Sequence, residues 1–124
     1  LPPGTSDAPL TIMQALDMDG FVVVTTPQQL AMIDAKRSIN MIRKLHVNVL
    51  GVVENFSGEI FGTGGGEQLA QEMDLNFLGR LEMRTDYRDT SKPTVLNSNT
   101  VLNEFQSIVD GMKAGLEAVE VEAD

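Results

Sequence analysis

The chain has 124 residues, 42% of them apolar and 22% charged, enough for one domain around one core. Its net charge of −9 and pI near 4.4 argue against broad contact with nucleic-acid phosphates or an anionic membrane surface. With no Cys and a single His, His46, disulfides and thiolate metal sites within the chain are excluded, and one imidazole cannot build a zinc site.

The aromatic share is 5% with no Trp, so the core is expected to be aliphatic, with seven Met as adaptable filler or contact surface. No apolar run approaches the roughly 20 residues of a membrane span, and no signal-peptide pattern is visible. The expected location is the cytoplasm.

The chain opens on Leu1-Pro2-Pro3-Gly4-Thr5-Ser6-Asp7. Pro2 and Pro3 fix the backbone, and Gly4 lets another group come close to it. Ser6 or Asp7 can cap a short helix over Ala8 to Leu16. On these residues alone the opening reads either as a capped turn or as an anion site at a helix start. Phe21-Val22-Val23-Val24 is an unbroken β-branched and aromatic run, the pattern of a strand buried on both faces. Thr26 is expected to cap the next helix, with Pro27 in its first position.

Gln28 to Leu45 is the longest helical pattern, with Ala31, Ala35, Ser38, Ile42 and Leu45 on one side and Met32 and Ile39 beside them. Arg43 and Lys44 suit its negative end. Val47 to Val53 predicts a second buried strand, left by a polar loop over Glu54 to Gly58. Gly62-Thr63-Gly64-Gly65-Gly66 reads as a plain flexible loop in preference to a phosphate cradle, because no Gly-Lys-Ser/Thr follows. A helix is predicted from about Glu67 to Met73 and a third strand over Asn76 to Leu81. Glu82 to Ser91 is charged and irregular, and Lys92 to Leu96 is a breaker followed by an extended piece. The last helix starts near Asn99, with Val101, Leu102, Phe105, Ile108, Val109, Met112 and Leu116 on one side. The acidic tail, residues 117–124, is expected to fray.

This order means βαβ units in a parallel sheet with helices on both faces, and residues 1–124 read as a single domain. Ligands in such sheets sit beyond the carboxyl ends of the strands. Asn55 follows a buried strand at such an end. Its carboxamide can donate and accept at once, which fits a purine edge, and a turn Asn is the alternative.

Four segments, taken together, resemble one family. They are Leu1 to Asp7; Asp19-Gly20-Phe21-Val22-Val23-Val24-Thr25-Thr26-Pro27-Gln28; Val52-Val53-Glu54-Asn55-Phe56-Ser57; and Ile60-Phe61-Gly62-Thr63-Gly64-Gly65-Gly66-Glu67. Their order and spacing resemble the Mrp/ApbC-type P-loop ATPases, MinD-like proteins with a deviant Walker A motif implicated in carrying iron–sulfur clusters.

The resemblance implies a switch loop at Pro3, Gly4, Thr5 and Asp7, with the Gly4 N–H near a γ-phosphate. It implies that Asn55 contacts adenine, with Glu82 and Met83 as a weaker adenine loop, and that Asp34 answers to the nucleotide state. It further implies ATP and Mg²⁺, a homodimer, and iron–sulfur recipient or scaffold proteins as partners.

Three features depart from the family. Its N-terminal half, with the phosphate loop, the lysines and the Walker B Asp, does not lie in these residues. Ser57-Gly58-Glu59-Ile60 joins two segments that the family separates by a Cys-Pro-x-Cys, and the family's Pro-Leu-Asp is missing at Leu81-Glu82-Met83. The absence of Cys counts against a cluster held by this chain. The sequence is read as the C-terminal piece of a larger ATPase, not expected to hydrolyse ATP alone. A MinD/ParA-like positioning ATPase and a nucleotide-independent docking module are the alternatives.

Overall fold

A computed structural model describes residues 18–123. The elements are β1 (Phe21–Thr25), α1 (Gln29–Lys44), β2 (Val49–Ser57), α2 (Gly65–Glu72), β3 (Phe77–Glu82), two 3₁₀ turns (Thr85–Arg88 and Thr94–Leu96) and α3 (Asn99–Ala123). The strands form one parallel sheet in the order β1-β2-β3. The short helix expected over Ala8 to Leu16 and the opening loop lie outside the described residues.

Helices cover both faces. On one, α1 and α2 pack on β1 and β2 through Phe21, Val23, Ala35, Ile39, Ile42, Val52, Leu69 and Ala70. On the other, Ile108 of α3 meets Val53 and Leu78, with Val22, Leu81 and Met112 at the margin. Among the described residues the core is thus largely aliphatic, with Phe21 buried in it and Phe77 packed against it, and Ile39 and Val52 lose all contact with solvent. The centre of the α1 stripe is Ile39, flanked by Ala35 and Ile42. Arg43 in the last turn of α1 donates to the Met73 carbonyl just past α2, so a basic side chain at the end of one helix serves an open carbonyl of the next.

Four boundaries differ from expectation. β2 does not stop at Val53. Glu54 pairs with Thr25 on one side and Arg80 on the other, and Ser57 with Glu82, so the supposed polar loop is strand. A central strand has ladder partners on both edges, and these carry polar residues through the sheet. Thr26 does not cap α1. Gln28 holds the cap position with no side-chain bond to the helix, and the Thr26 hydroxyl turns to the Gln28 side chain at 3.3 Å. Pro27 therefore lies before the helix. α2 begins at Gly65, behind a left-handed Gly64. Thr94–Leu96 is a 3₁₀ turn, not an extended piece, with the Leu96 N–H closing on the Pro93 carbonyl at 2.9 Å.

Candidate functional site

The carboxyl ends of β2 and β3 lie side by side, and a cavity of about 420 Å³ opens there against α3. Asn55 and Phe56 supply one wall, Leu81, Glu82 and Met83 the other, and Phe105 of α3 the floor. Asn55, Glu82 and Met83, which the resemblance assigns to adenine, line this one cavity. Asn55 is in β2 and not in a turn beyond it.

Each wall is held by a specific contact. Successive side chains of a strand point to opposite faces. Val53 and Asn55 face α3, whereas Val52 and Glu54 face α1 and α2. The Asn55 Oδ1 accepts the Phe56 N–H at 3.0 Å, which leaves the Nδ2 amide as its donor toward a ligand. Phe56 has φ +54, a left-handed conformation uncommon for a bulky residue, and its ring tilts against Phe61 with centroids 6.4 Å apart.

The other wall is tied to α3. Arg84 forks onto Glu104, Nε to Oε1 at 3.1 Å and Nη2 to Oε2 at 3.2 Å, and also reaches Glu82 at 3.2 Å. Glu104 in turn accepts the Glu82 backbone N–H at 3.2 Å. The Met83 N–H closes on the Ser57 carbonyl at 3.1 Å, joining the two walls. The hydrogen bond to Glu104 holds the Arg84 guanidinium more firmly protonated than usual. Burial, then the Glu104 charge, pushes the Tyr87 phenol up, so this cavity-lining hydroxyl stays neutral.

On the opposite face of β2 the Glu54 side chain is wholly buried. Its Oε1 accepts the N–H of Gly66 at 2.8 Å and of Gly64 at 3.1 Å, at the start of α2. The Arg80 Nε stands 3.6 Å from Oε2, and the same guanidinium reaches Glu67 at 3.0 Å and lies over the Phe77 ring. Burial raises the Glu54 pKa. The Gly66 N–H, the Ser57 hydroxyl, the Gly64 N–H and the Arg80 charge outweigh it, and the carboxyl sits below the ordinary range. Gly66 makes this possible, since a Cβ there would stand 2.8 Å from the Glu54 Cβ. The glycine-rich run is therefore a helix start whose Gly64 and Gly66 N–H groups serve the chain's own carboxylate.

The remaining expected site residues fall elsewhere. Asp34 is on α1, largely exposed beside Arg37 at 3.9 Å, and does not line the cavity. Pro3, Gly4, Thr5 and Asp7 lie outside the described residues. Glu54, Arg84, Tyr87 and Phe105 were not singled out in the sequence. Glu54 carried one signal: a carboxylate straight after Val52-Val53, ten residues before the Gly64 N–H it accepts.

Between Ser57 and Thr63 the chain makes a tight return, with Gly58 and Gly62 exchanging two backbone hydrogen bonds at 2.9 and 2.8 Å. A second opening of about 570 Å³ lies here and shares Glu82 and Met83 with the first. No group of three or more potential metal ligands occurs among the described residues, and no described helix is long and apolar enough to cross a membrane.

A parallel sheet covered by helices on both faces, with a cavity beyond its strand ends, places the chain in the doubly covered α/β class. A family model described as ParA, the NUBPL iron-transfer P-loop NTPases, matches residues 1–113, and the chain belongs to this family. The iron–sulfur cluster carrier protein of Methanocaldococcus jannaschii is 41% identical over 122 residues, covering 87% of this chain and 42% of the relative. That of Escherichia coli K12 is 44% identical over 110 residues, covering 78% and 30%. A solved nucleotide-binding protein from Archaeoglobus fulgidus, in complex with ADP, superposes with a TM-score of 0.60 at 35% identity, over 69% of this chain and 40% of that one. The chain thus spans less than half the length of these relatives.

Proposed function

We propose that this chain contributes the base-binding wall of an ATP site in an iron–sulfur cluster carrier. The observation that carries this reading is the single cavity lined by Asn55, Glu82 and Met83 at the carboxyl ends of β2 and β3. Its chemistry fits a flat base: an amide donor on one wall, with Leu81, Met83 and Phe105 giving apolar contact area. The ADP complex of the Archaeoglobus fulgidus protein and the carrier names of the relatives support the same assignment.

In this reading Gly4 approaches the γ-phosphate, Pro3, Thr5 and Asp7 belong to the switch around it, and Asp34 reports the nucleotide state in a homodimer. Mg²⁺ would be held with the phosphates. The phosphate-binding loop belongs to the part of the relatives' length that this chain does not span. The iron–sulfur cluster is cargo, passed to recipient or scaffold proteins in the cytoplasm. This chain has no Cys, so any thiolate that holds the cargo comes from outside these residues.

Calorimetric titration of the full-length natural protein with ATP tests the site. Saturable binding is expected, and lack of any heat at millimolar ATP would overturn the assignment. Anaerobic reconstitution with iron and sulfide tests the cargo, and a protein that takes up no cluster would leave a nucleotide-dependent positioning role.

A further inference from the structure

Resting on the reading of the Asn55 cavity as a base site, we propose that Glu54 is the residue that positions Asn55 for the base. Neighbours in a strand share one stretch of backbone but face opposite ways, so an anchor on one side fixes the other. Glu54 is anchored to two elements at once: the first turn of α2 through the Gly64 and Gly66 N–H groups, and β3 through Arg80. Arg80 is itself held to Glu67 in that same turn.

Asn55 needs such an anchor because the ladder fails around it. The pairing of β2 with β3 is regular at Glu54–Arg80, then shifts before it resumes at Ser57–Glu82. The intervening Phe56 has a left-handed backbone. Asn55 therefore occupies the irregular piece between two fixed points, Glu54 on one side and the Ser57–Met83 hydrogen bond on the other. An apolar residue at 54 would pack but would neither accept from the helix start nor face Arg80 with a counter-charge. The buried carboxylate accepts from Gly64 and Gly66 and forms an ion pair with Arg80 at 3.6 Å.

The alternative is that Glu54 merely caps α2. A double-mutant cycle on ATP affinity separates the two, measured on the full-length natural protein with Glu54→Gln, Asn55→Ala and the pair. Glutamine keeps the length and one acceptor but drops the charge. E54Q is expected to weaken ATP binding about tenfold, on the scale of a lost charged hydrogen bond. The double variant is expected to bind no more weakly than N55A.

Losses that multiply in the double variant, or an E54Q protein with unchanged affinity, would overturn the positioning role while leaving the base site intact. An N55A protein with unchanged affinity would remove the base site itself, and the positioning role with it. Thermal melting confirms that each variant is folded. If E54Q is not, the cycle is run with Glu54→Asp, which keeps the charge and shortens the reach.

Discussion

The Glu54 carboxylate accepts the Gly66 N–H at 2.8 Å and so joins the central strand to the first turn of α2. Two residues twelve apart in sequence close the corner of the fold next to the cavity. The bond needs a carboxylate at 54 and no side chain at 66.

Substitution at either end should therefore cost stability. Glu54→Ala leaves two helix-start N–H groups without their acceptor and removes the buried charge that faces Arg80, and a loss of about 3 kcal/mol is expected. Gly66→Ala places a methyl 2.8 Å from the Glu54 Cβ and 3.3 Å from the Phe77 ring, an overpacking worth about 1–3 kcal/mol. Urea unfolding midpoints at constant slope measure both. Near-wild-type midpoints would mean that the corner relaxes at no cost.

Acid should act on the same corner. The Glu54 pKa is lowered in the folded state, so its contribution to stability is complete above the unfolded-state value near 4.5 and is lost as pH falls through the folded value. Glu72, lowered through its hydrogen bond to Lys36, shares this window, and Asp89, lowered through Ser91, acts below its own unfolded-state value near 3.8. The Glu54 share is isolated by difference: between pH 7 and pH 3, E54Q should lose less stability than the wild type. Equal losses would show that Glu54 does not titrate with folding.

Asn55→Ala should weaken ATP binding by about 1–3 kcal/mol, the scale of one lost partner in a desolvated site. The variant should fold normally, since the carboxamide is half-buried and its one intramolecular bond is to the neighbouring Phe56 N–H. Titration with ATP against circular dichroism of the same samples checks both halves.

Arg84→Met should loosen the β3 wall. It removes the fork that joins Glu104 of α3 to the start of the loop and leaves Glu104, 14% exposed, without its cation. A stability loss of about 1.5 kcal/mol is expected, with weaker ATP binding because Glu82 and Met83 are no longer held. Binding unchanged despite lost stability would exclude Glu82 and Met83 from the ligand's wall.

Much of the fold was legible because its signals are local. Phe21-Val22-Val23-Val24 and Val49-Leu50-Gly51-Val52-Val53 lack alternation, and both proved to be strands of a parallel sheet. Only the central β2 is buried on both faces; in β1, which pairs on one edge with β2, Phe21, Val23 and Thr25 are buried while Val24 is 59% exposed. The apolar spacing of α1 and the basic pair at its end placed that helix to within a residue or two. The cavity was legible in part. Asn55 came forward through its place at a strand end and its carboxamide, Glu82 and Met83 through a family resemblance, and Arg84, Tyr87 and Phe105 did not. Arg84 and Tyr87 sit in a charged irregular stretch, and Phe105 in an apolar stripe where core packing is the plain expectation. Their role depends on α3 returning across the end of β3.

The amino-acid sequence by itself determined the class of the protein. Unbroken β-branched runs alternating with amphipathic helices admit a parallel α/β sheet and little else, because each element's burial is written in its own residues. Only the tertiary structure decided what Glu54 is. Its polarity and the glycines that follow read locally as a loop. The carboxylate becomes a strand residue, a helix cap and an ion-pair partner once β1, β3 and the start of α2 meet around it. A buried charge is set by partners distant in sequence, and a one-dimensional pattern does not name them.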